Sequence, residues 1–154
     1  MEFIDSHCHI PLISEKIGSV DEVIKKATQN RVSHMLCVCV ELAGFPELLE
    51  LAKKYSEISI SVGVHPNTEM ENEVTLDELI SLGDNSEVIS IGETGLDYFR
   101  DNADSLLQKD RFRKHIQAAK ILKKPLIIHC REAKTDVIKL LREEEAREVG
   151  GVMH

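Results

Sequence analysis

Apolar residues along the chain gather into six short runs, at residues 3–5, 35–40, 58–62, 88–91, 126–128 and 151–153. Several are nearly continuous. That is the pattern of strands buried on both faces of a parallel sheet, not the alternation of a half-exposed one. The gaps between the runs carry helical periodicity. Ser19 and Glu22 form a capping box, and Val20, Val23, Ile24 and Ala27 follow at helical spacing. Pro46 suits the first turn of a second helix, with Leu48, Leu51, Ala52 and Tyr55 on its inner side. Thr75 and Glu78 make another capping box, leading into Leu79 and Ile80. Ser105 and Gln108 give a fourth start signal, for a helix through Phe112, Ile116, Ala119 and Leu122 that Pro125 stops. A fifth helix is expected over residues 135–146, with Val137, Ile138 and Leu141 turned inward.

This strand–helix alternation predicts an α/β fold with right-handed crossovers and a parallel sheet. Strand starts fall about thirty residues apart, close to the repeat of a (β/α)8 TIM barrel. Six strands and five helices make only an incomplete barrel. The expectation is a single domain over residues 1–154, truncated at its C-terminal side. An open doubly wound parallel sheet, which this length can complete, is the alternative. In the barrel reading the first and sixth strands are open edges, and self-association is the expected consequence.

With 42% hydrophobic and 30% charged residues, the composition is that of an ordinary soluble globular domain. No apolar run approaches the ~18 residues that span a bilayer, so no membrane partner is expected. The N-terminus has no basic segment followed by a long apolar stretch, which argues against a secretory signal. Cys8, Cys37, Cys39 and Cys130 show no C-x-x-C spacing and sit in or beside apolar runs. They read as buried free thiols of a reducing compartment, and the expected location is cytoplasmic. A net charge of −8 excludes global attraction to nucleic acid, so a polyanionic partner needs a local positive site. Lys109, Arg111, Arg113, Lys114, Lys120, Lys123 and Lys124 interleave with a helix's apolar stripe and read as its solvated outer face.

The chemistry concentrates where the strands end. His7 and His9 flank Cys8, and in an extended strand residues two apart point to the same side. Two neutral imidazoles on one rigid element are half a metal site. The third strand runs into Gly63-Val64-His65-Pro66, the fourth into Gly92-Glu93-Thr94-Gly95-Leu96-Asp97, the fifth into His129-Cys130-Arg131-Glu132, and the sixth into His154. Five of the seven histidines thus stand at strand carboxyl ends, where parallel α/β folds place their sites. Glu93, between Gly92 and Gly95, is the central carboxylate; one carboxylate can bridge two cations ~3.5–4 Å apart. The bland readings are a surface turn for Glu93 and a satisfied core histidine for His129. His65 either stabilises the turn before Pro66 or contacts a ligand, and both readings stand. Arg131, beyond His129, offers a guanidinium fork to a phosphate. His34 and His115 lie away from strand ends and read as structural or exposed.

Taken in order, Asp5-Ser6-His7-Cys8-His9, Gly63-Val64-His65-Pro66, Gly92-Glu93-Thr94-Gly95-Leu96-Asp97-Tyr98, His129-Cys130-Arg131-Glu132-Ala133 and Gly151-Val152-Met153-His154 resemble the successive motifs of the TatD-type metal-dependent deoxyribonucleases. These belong to the amidohydrolase-like TIM-barrel hydrolases. The resemblance implies a two-metal centre of Mg²⁺, Mn²⁺ or Zn²⁺. In it His7 and His9 bind one metal, Glu93 bridges, and His129 and His154 bind the second. It also implies an eighth-strand aspartate within Thr-Asp-Ser-Pro, a motif this chain does not contain.

The expected function is hydrolysis of phosphodiester bonds in DNA, with Glu93 catalytic and Arg131 and His65 contacting substrate. The same centre also suits ester or amide hydrolysis, such as aminoacyl-tRNA deacylation. A third reading is a fragment that binds metal without catalysis.

Overall fold

The computed structural model describes residues 1–99 and 105–154. Its strands are β1 (Phe3–Cys8), β2 (Val32–Cys37), β3 (Ile58–Val62), β4 (Val88–Asp97), β5 (Leu126–Arg131) and β6 (Gly151–Met153). All neighbours pair in parallel, in the spatial order β1-β2-β3-β4-β5-β6. That order decides between the two folds considered above. A doubly wound sheet needs a point where the strand order reverses, and none occurs here. Crossovers that all step the same way put the helices on one face, and the sheet curls as a half-barrel. The fold is therefore an incomplete (β/α)8 TIM barrel.

The helices are α1 (Ile10–Ile17), α2 (Val20–Gln29), α3 (Phe45–Lys54), α4 (Leu76–Gly83), α5 (Ser105–Leu122) and α6 (Lys134–Glu143), with 3-10 turns at Leu42–Gly44 and Ala146–Glu148. Both capping boxes form as the sequence predicts. Ser19 Oγ accepts from Glu22 N while Glu22 accepts from Ser19 N, and Thr75 and Glu78 repeat the arrangement. Helix α1 is one more than expected. No side chain caps it, and its only sequence signal is Pro11 in the first turn. Helix α5 is described from Ser105 onward, at the expected place, and Gln108 in its first turn is buried with its amide bonded to the main chain of Asp97.

The core lies between the sheet and the helices. Met35, Ile58, Ile60, Val62, Ile91 and Leu126 meet Leu48 of α3, Phe112 and Ile116 of α5, and Val137 of α6, all buried. The two outermost strands differ from the rest. Phe3 and Ile4 on β1 and Val152 and Met153 on β6 are exposed, as open edges require.

Strand β4 is longer than its apolar run suggests, because the polar motif continues it through Asp97. Gly92 (φ 144°) and Gly95 (φ 139°) make this possible, since both occupy the region that disfavours side chains. A Cβ on them would stand 2.4 Å from the Ile127 carbonyl oxygen and 2.1 Å from that of His129. The backbone of β4 thus lies hard against β5, with Glu93 between the two glycines.

Candidate metal centre

Four strand ends deliver their side chains to one carboxylate. Glu93 is 3% exposed. His7 Nε2 lies 3.3 Å and His9 Nε2 3.8 Å from Glu93 Oε2. His129 Nδ1 and His154 Nε2 each lie 3.0 Å from Glu93 Oε1, and His65 Nε2 lies 3.7 Å from it. The register explains the convergence. Cys8 pairs with Cys37 at the end of β1, Glu93 N donates to the Cys39 carbonyl just past β2, and His154 N donates to the Ile128 carbonyl of β5. His9 and His154 therefore sit one step beyond a strand, while His7 and His129 lie near the ends of β1 and β5, so the ladders fix their heights in the barrel wall.

Asp97 completes the group. Even spacing along β4 turns it to the same side as Glu93, a signal the sequence held without its being read as a site residue. It is 2% exposed, and its Oδ2 lies 3.1 Å from His129 Nε2. Asn67 Nδ2 donates to the same oxygen at 2.7 Å. His129 is thus held between two carboxylates.

Hydrogen bonds fix the tautomers of two rings. His9 Nδ1 lies 3.0 Å from the Val38 carbonyl, which can only accept, so this nitrogen carries the proton. Its Nε2 lone pair then faces Glu93, the state a metal ligand needs. His65 is set the opposite way. Its Nδ1 accepts from Asn67 N at 3.1 Å, so in the neutral ring Nε2 carries the proton and faces the centre as a donor. The turn-stabilising and ligand-facing readings of His65 are thus compatible, each using one nitrogen.

Electrostatics follow the same geometry. Burial works to raise the Glu93 carboxyl, but the His129 hydrogen bond and the nearby His65, His7 and His154 bring it down to about 2. Burial lowers His65 to about 4 and lowers His7, which keeps both rings neutral at pH 7. His129 is raised, first by its hydrogen bond to Glu93. The centre therefore combines ionised carboxylates and neutral imidazoles with one position that already favours positive charge. That donor set fits divalent cations bound through nitrogen and oxygen. Two groups have ligand atoms all within 4.8 Å of one another, His7–Glu93–His154 and His65–Asp97–His129. The first pairs His7 with His154, whose ring centroids lie 4.4 Å apart, whereas the resemblance divides them between metals.

The remaining residues singled out in the sequence fall outside this cluster. Arg131 ends β5 and lays its guanidinium over Phe99, 3.6 Å from the ring centroid. His34 bonds to Ser59 Oγ, and His115 is fully buried, so both are structural. The basic stretch of α5 and the turn after it needs two corrections. Lys124, beyond the helix, gives its ammonium to the Gly83 and Asn85 carbonyls. Arg111 is not on the solvated face: its side chain is 2% exposed and pairs with Glu73. Its position three residues after Gln108 and four before His115 puts all three on one inward face. The four cysteines are free, with Cys8, Cys37 and Cys39 buried.

Comparison with known proteins agrees with this fold. Residues 4–154 match the family model of the TatD related DNases. An uncharacterized metal-dependent hydrolase of Buchnera aphidicola is 39% identical, over all of this chain and 62% of its own length. A protein of Edwardsiella piscicida named 3'-5' ssDNA/RNA exonuclease TatD is 32% identical, over 89% of this chain and 54% of its own. The crystal structure of a TatD family hydrolase from Entamoeba histolytica superposes with a TM-score of 0.85 at 27% identity, covering all of this chain and 58% of that one. The chain thus spans about three-fifths of the relatives it matches. Helices long and apolar enough to cross a membrane are absent among the described residues. With these five motifs in order at the ends of five of the six strands, the chain belongs to the TatD related DNase family.

Proposed function

We propose that this chain carries most of the active centre of a two-metal phosphodiesterase acting on DNA, the finer form of its family's metal-dependent hydrolysis. The observation that supports it best is the convergence of five imidazoles on Glu93. Glu93 would bridge two divalent ions, Mg²⁺, Mn²⁺ or Zn²⁺, with His7, His9, His129 and His154 as the nitrogen ligands. Asp97 adds a carboxylate beside His129. Such ions, when bound, neutralise charge on a phosphate and lower the pKa of water at the centre.

The chain's own groups supply the rest. Val38 and Asn67 hold the His9 and His65 rings in opposite tautomers, one a ligand and the other a donor. His65 Nε2–H would hydrogen-bond a non-bridging phosphate oxygen and help hold the phosphate against the centre. Arg131, stacked on Phe99, would present its fork to the phosphate backbone at the rim. The relative named a 3'-5' ssDNA/RNA exonuclease supports a nucleic-acid strand as substrate. Free thiols support a reducing compartment, the cytoplasm. The apolar side chains exposed on β1 and β6 favour self-association.

The test is cleavage of a single-stranded oligonucleotide by the protein with Mn²⁺ or Mg²⁺, beside a panel of carboxylic esters and aminoacyl esters. Cleavage of DNA that Glu93→Gln abolishes is expected. Turnover of the esters without DNA cleavage would overturn the nuclease reading, and failure to bind either metal would overturn the centre itself.

A further inference from the structure

We infer that the inward polar face of α5, Gln108, Arg111 and His115, is a positioning device that holds His65 and Asp97 in the centre, with Arg111 as its main clamp. The inference rests on the metal-centre reading above. It starts from an oddity: three of the most polar side chains of α5 are buried, at 3%, 2% and 0% exposure, beside an apolar stripe that would pack well without them.

What they touch explains them. Arg111 Nη1 donates to the carbonyls of His65 (2.8 Å), Pro66 (3.2 Å) and Thr68 (3.1 Å). Its Nε donates to Glu73 Oε2 at 3.0 Å and its Nη2 to Glu73 Oε1, a bidentate pair that orients the guanidinium plane. His115 Nε2 accepts from Val64 N at 3.0 Å. Gln108 Oε1 accepts from Asp97 N at 2.9 Å, and its Nε2 donates to the Asp97 carbonyl at 3.2 Å. Val64, His65, Pro66 and Thr68 lie beyond the carboxyl end of β3, where its ladder has run out, and Asp97 is the last residue of β4, at the end of its ladder with β5.

The two strand ends held this way carry His65 and Asp97, which flank His129 from either side. The His65 and His129 rings lie 4.4 Å apart, and Asp97 lies 3.1 Å from His129. One helix face therefore fixes the relative position of two site residues from different strands. Lysine cannot replace Arg111 in this role. An ammonium is a single point donor and cannot hold Glu73 bidentately while serving three carbonyls that lie along a turn. Arg111 touches neither Glu93 nor the ligand atoms; it acts through the loop that carries His65.

The experiment is a double-mutant cycle with a direct probe of His65. Arg111→Lys and, because Arg111 is buried, the milder Glu73→Gln are each combined with His65→Ala. In metal-free protein labelled at histidine, the ring signals of His65 should shift or broaden in both single variants, while those of His34 stay in place. Calorimetric affinity of the Mn²⁺-loaded protein for inorganic phosphate should fall about tenfold in Arg111→Lys, with a smaller loss in Glu73→Gln. Neither should lose further affinity in the His65→Ala background, since the clamp would have nothing left to position. Unmoved His65 signals in Glu73→Gln and Arg111→Lys overturn the inference, and so does an equal loss of affinity with and without His65. A wild type that binds no Mn²⁺ overturns the metal-centre reading instead, and the His65 signals still decide the clamp.

Discussion

Acidification should destabilise this fold through His115, a residue with no part in the centre's chemistry. The ring is fully buried on α5. Its Nδ1–H donates to the Arg111 carbonyl at 2.8 Å, and its Nε2 accepts from Val64 N at 3.0 Å. A second proton would face an N–H with an N–H. Burial is the largest cause of its low value, about 4 against an ordinary 6.5. Arg111 and Lys114 push the same way, and the Arg111 carbonyl and Glu73 push against them. The unfolded chain takes up this proton near pH 6.5, and the folded chain only near 4. Between those values the unfolded state binds more protons, so stability is complete above pH 6.5 and is lost as pH falls toward 4. The difference corresponds to about 3 kcal/mol at pH 4. Other histidines titrate as well, so the measurement is a comparison. Urea unfolding with EDTA present, followed from pH 8 to pH 4, should show a steeper loss in wild type than in His115→Gln, whose amide oxygen can still accept from Val64. The difference between the two curves should close by about 3 kcal/mol across that range. Parallel curves would refute the assignment of a neutral, acid-labile His115.

Three further outcomes follow from particular contacts. Gly95→Ala should cost more than about 2 kcal/mol, read from the urea midpoint, because the residue has φ 139° and its new Cβ would stand 2.1 Å from the His129 carbonyl oxygen. Ser19→Ala removes one side of a formed capping box and should cost about 1 kcal/mol in the same assay, with no change in Mn²⁺ affinity. Chelation with EDTA should abolish oligonucleotide cleavage and Mn²⁺ should restore it, while cleavage that persists in EDTA would count against the centre.

Much of the fold was legible because it is written in local chemistry. Capping boxes at Ser19 and Thr75 and Pro46 in a first turn mark helices by contacts within four residues. The nearly apolar runs mark strands because both faces of a barrel wall are covered. The helix α1 escaped because nothing caps it and its sequence, starting with Ile10-Pro11, gives only a weak start signal. The strand-end histidines and Glu93 were visible because polar residues closing an apolar run are conspicuous. Arg111, Gln108 and Asn67 were not. Their partners are main-chain atoms and side chains 11 to 46 residues away, and a basic residue beside an apolar stripe gives no local sign of which way it turns.

The same geometry bears on how a chain with 27 acidic and 19 basic residues could handle a polyanion. Glu93 and Asp97 are both held below the ordinary carboxylate range, so the centre has two negative charges at neutral pH. A phosphate brought ~4 Å from either would meet a repulsion on the order of 4 kcal/mol at an effective dielectric of ~20. Basic side chains around the rim would offset little of this, because exposed charges are screened within about a Debye length. Two divalent cations would reverse the sign, provided their ligands did not cancel them. That is the physical merit of imidazole here. His7 and His65 are kept neutral by burial, so they donate lone pairs or hydrogen bonds without adding negative charge. A ligand set built from aspartates at the same positions would hold cations as firmly but leave no surplus to attract a phosphodiester. Histidine at the strand ends would thus let an acidic protein that held two cations present a positive centre to an anionic strand, with Glu93 placed between His7 and His129.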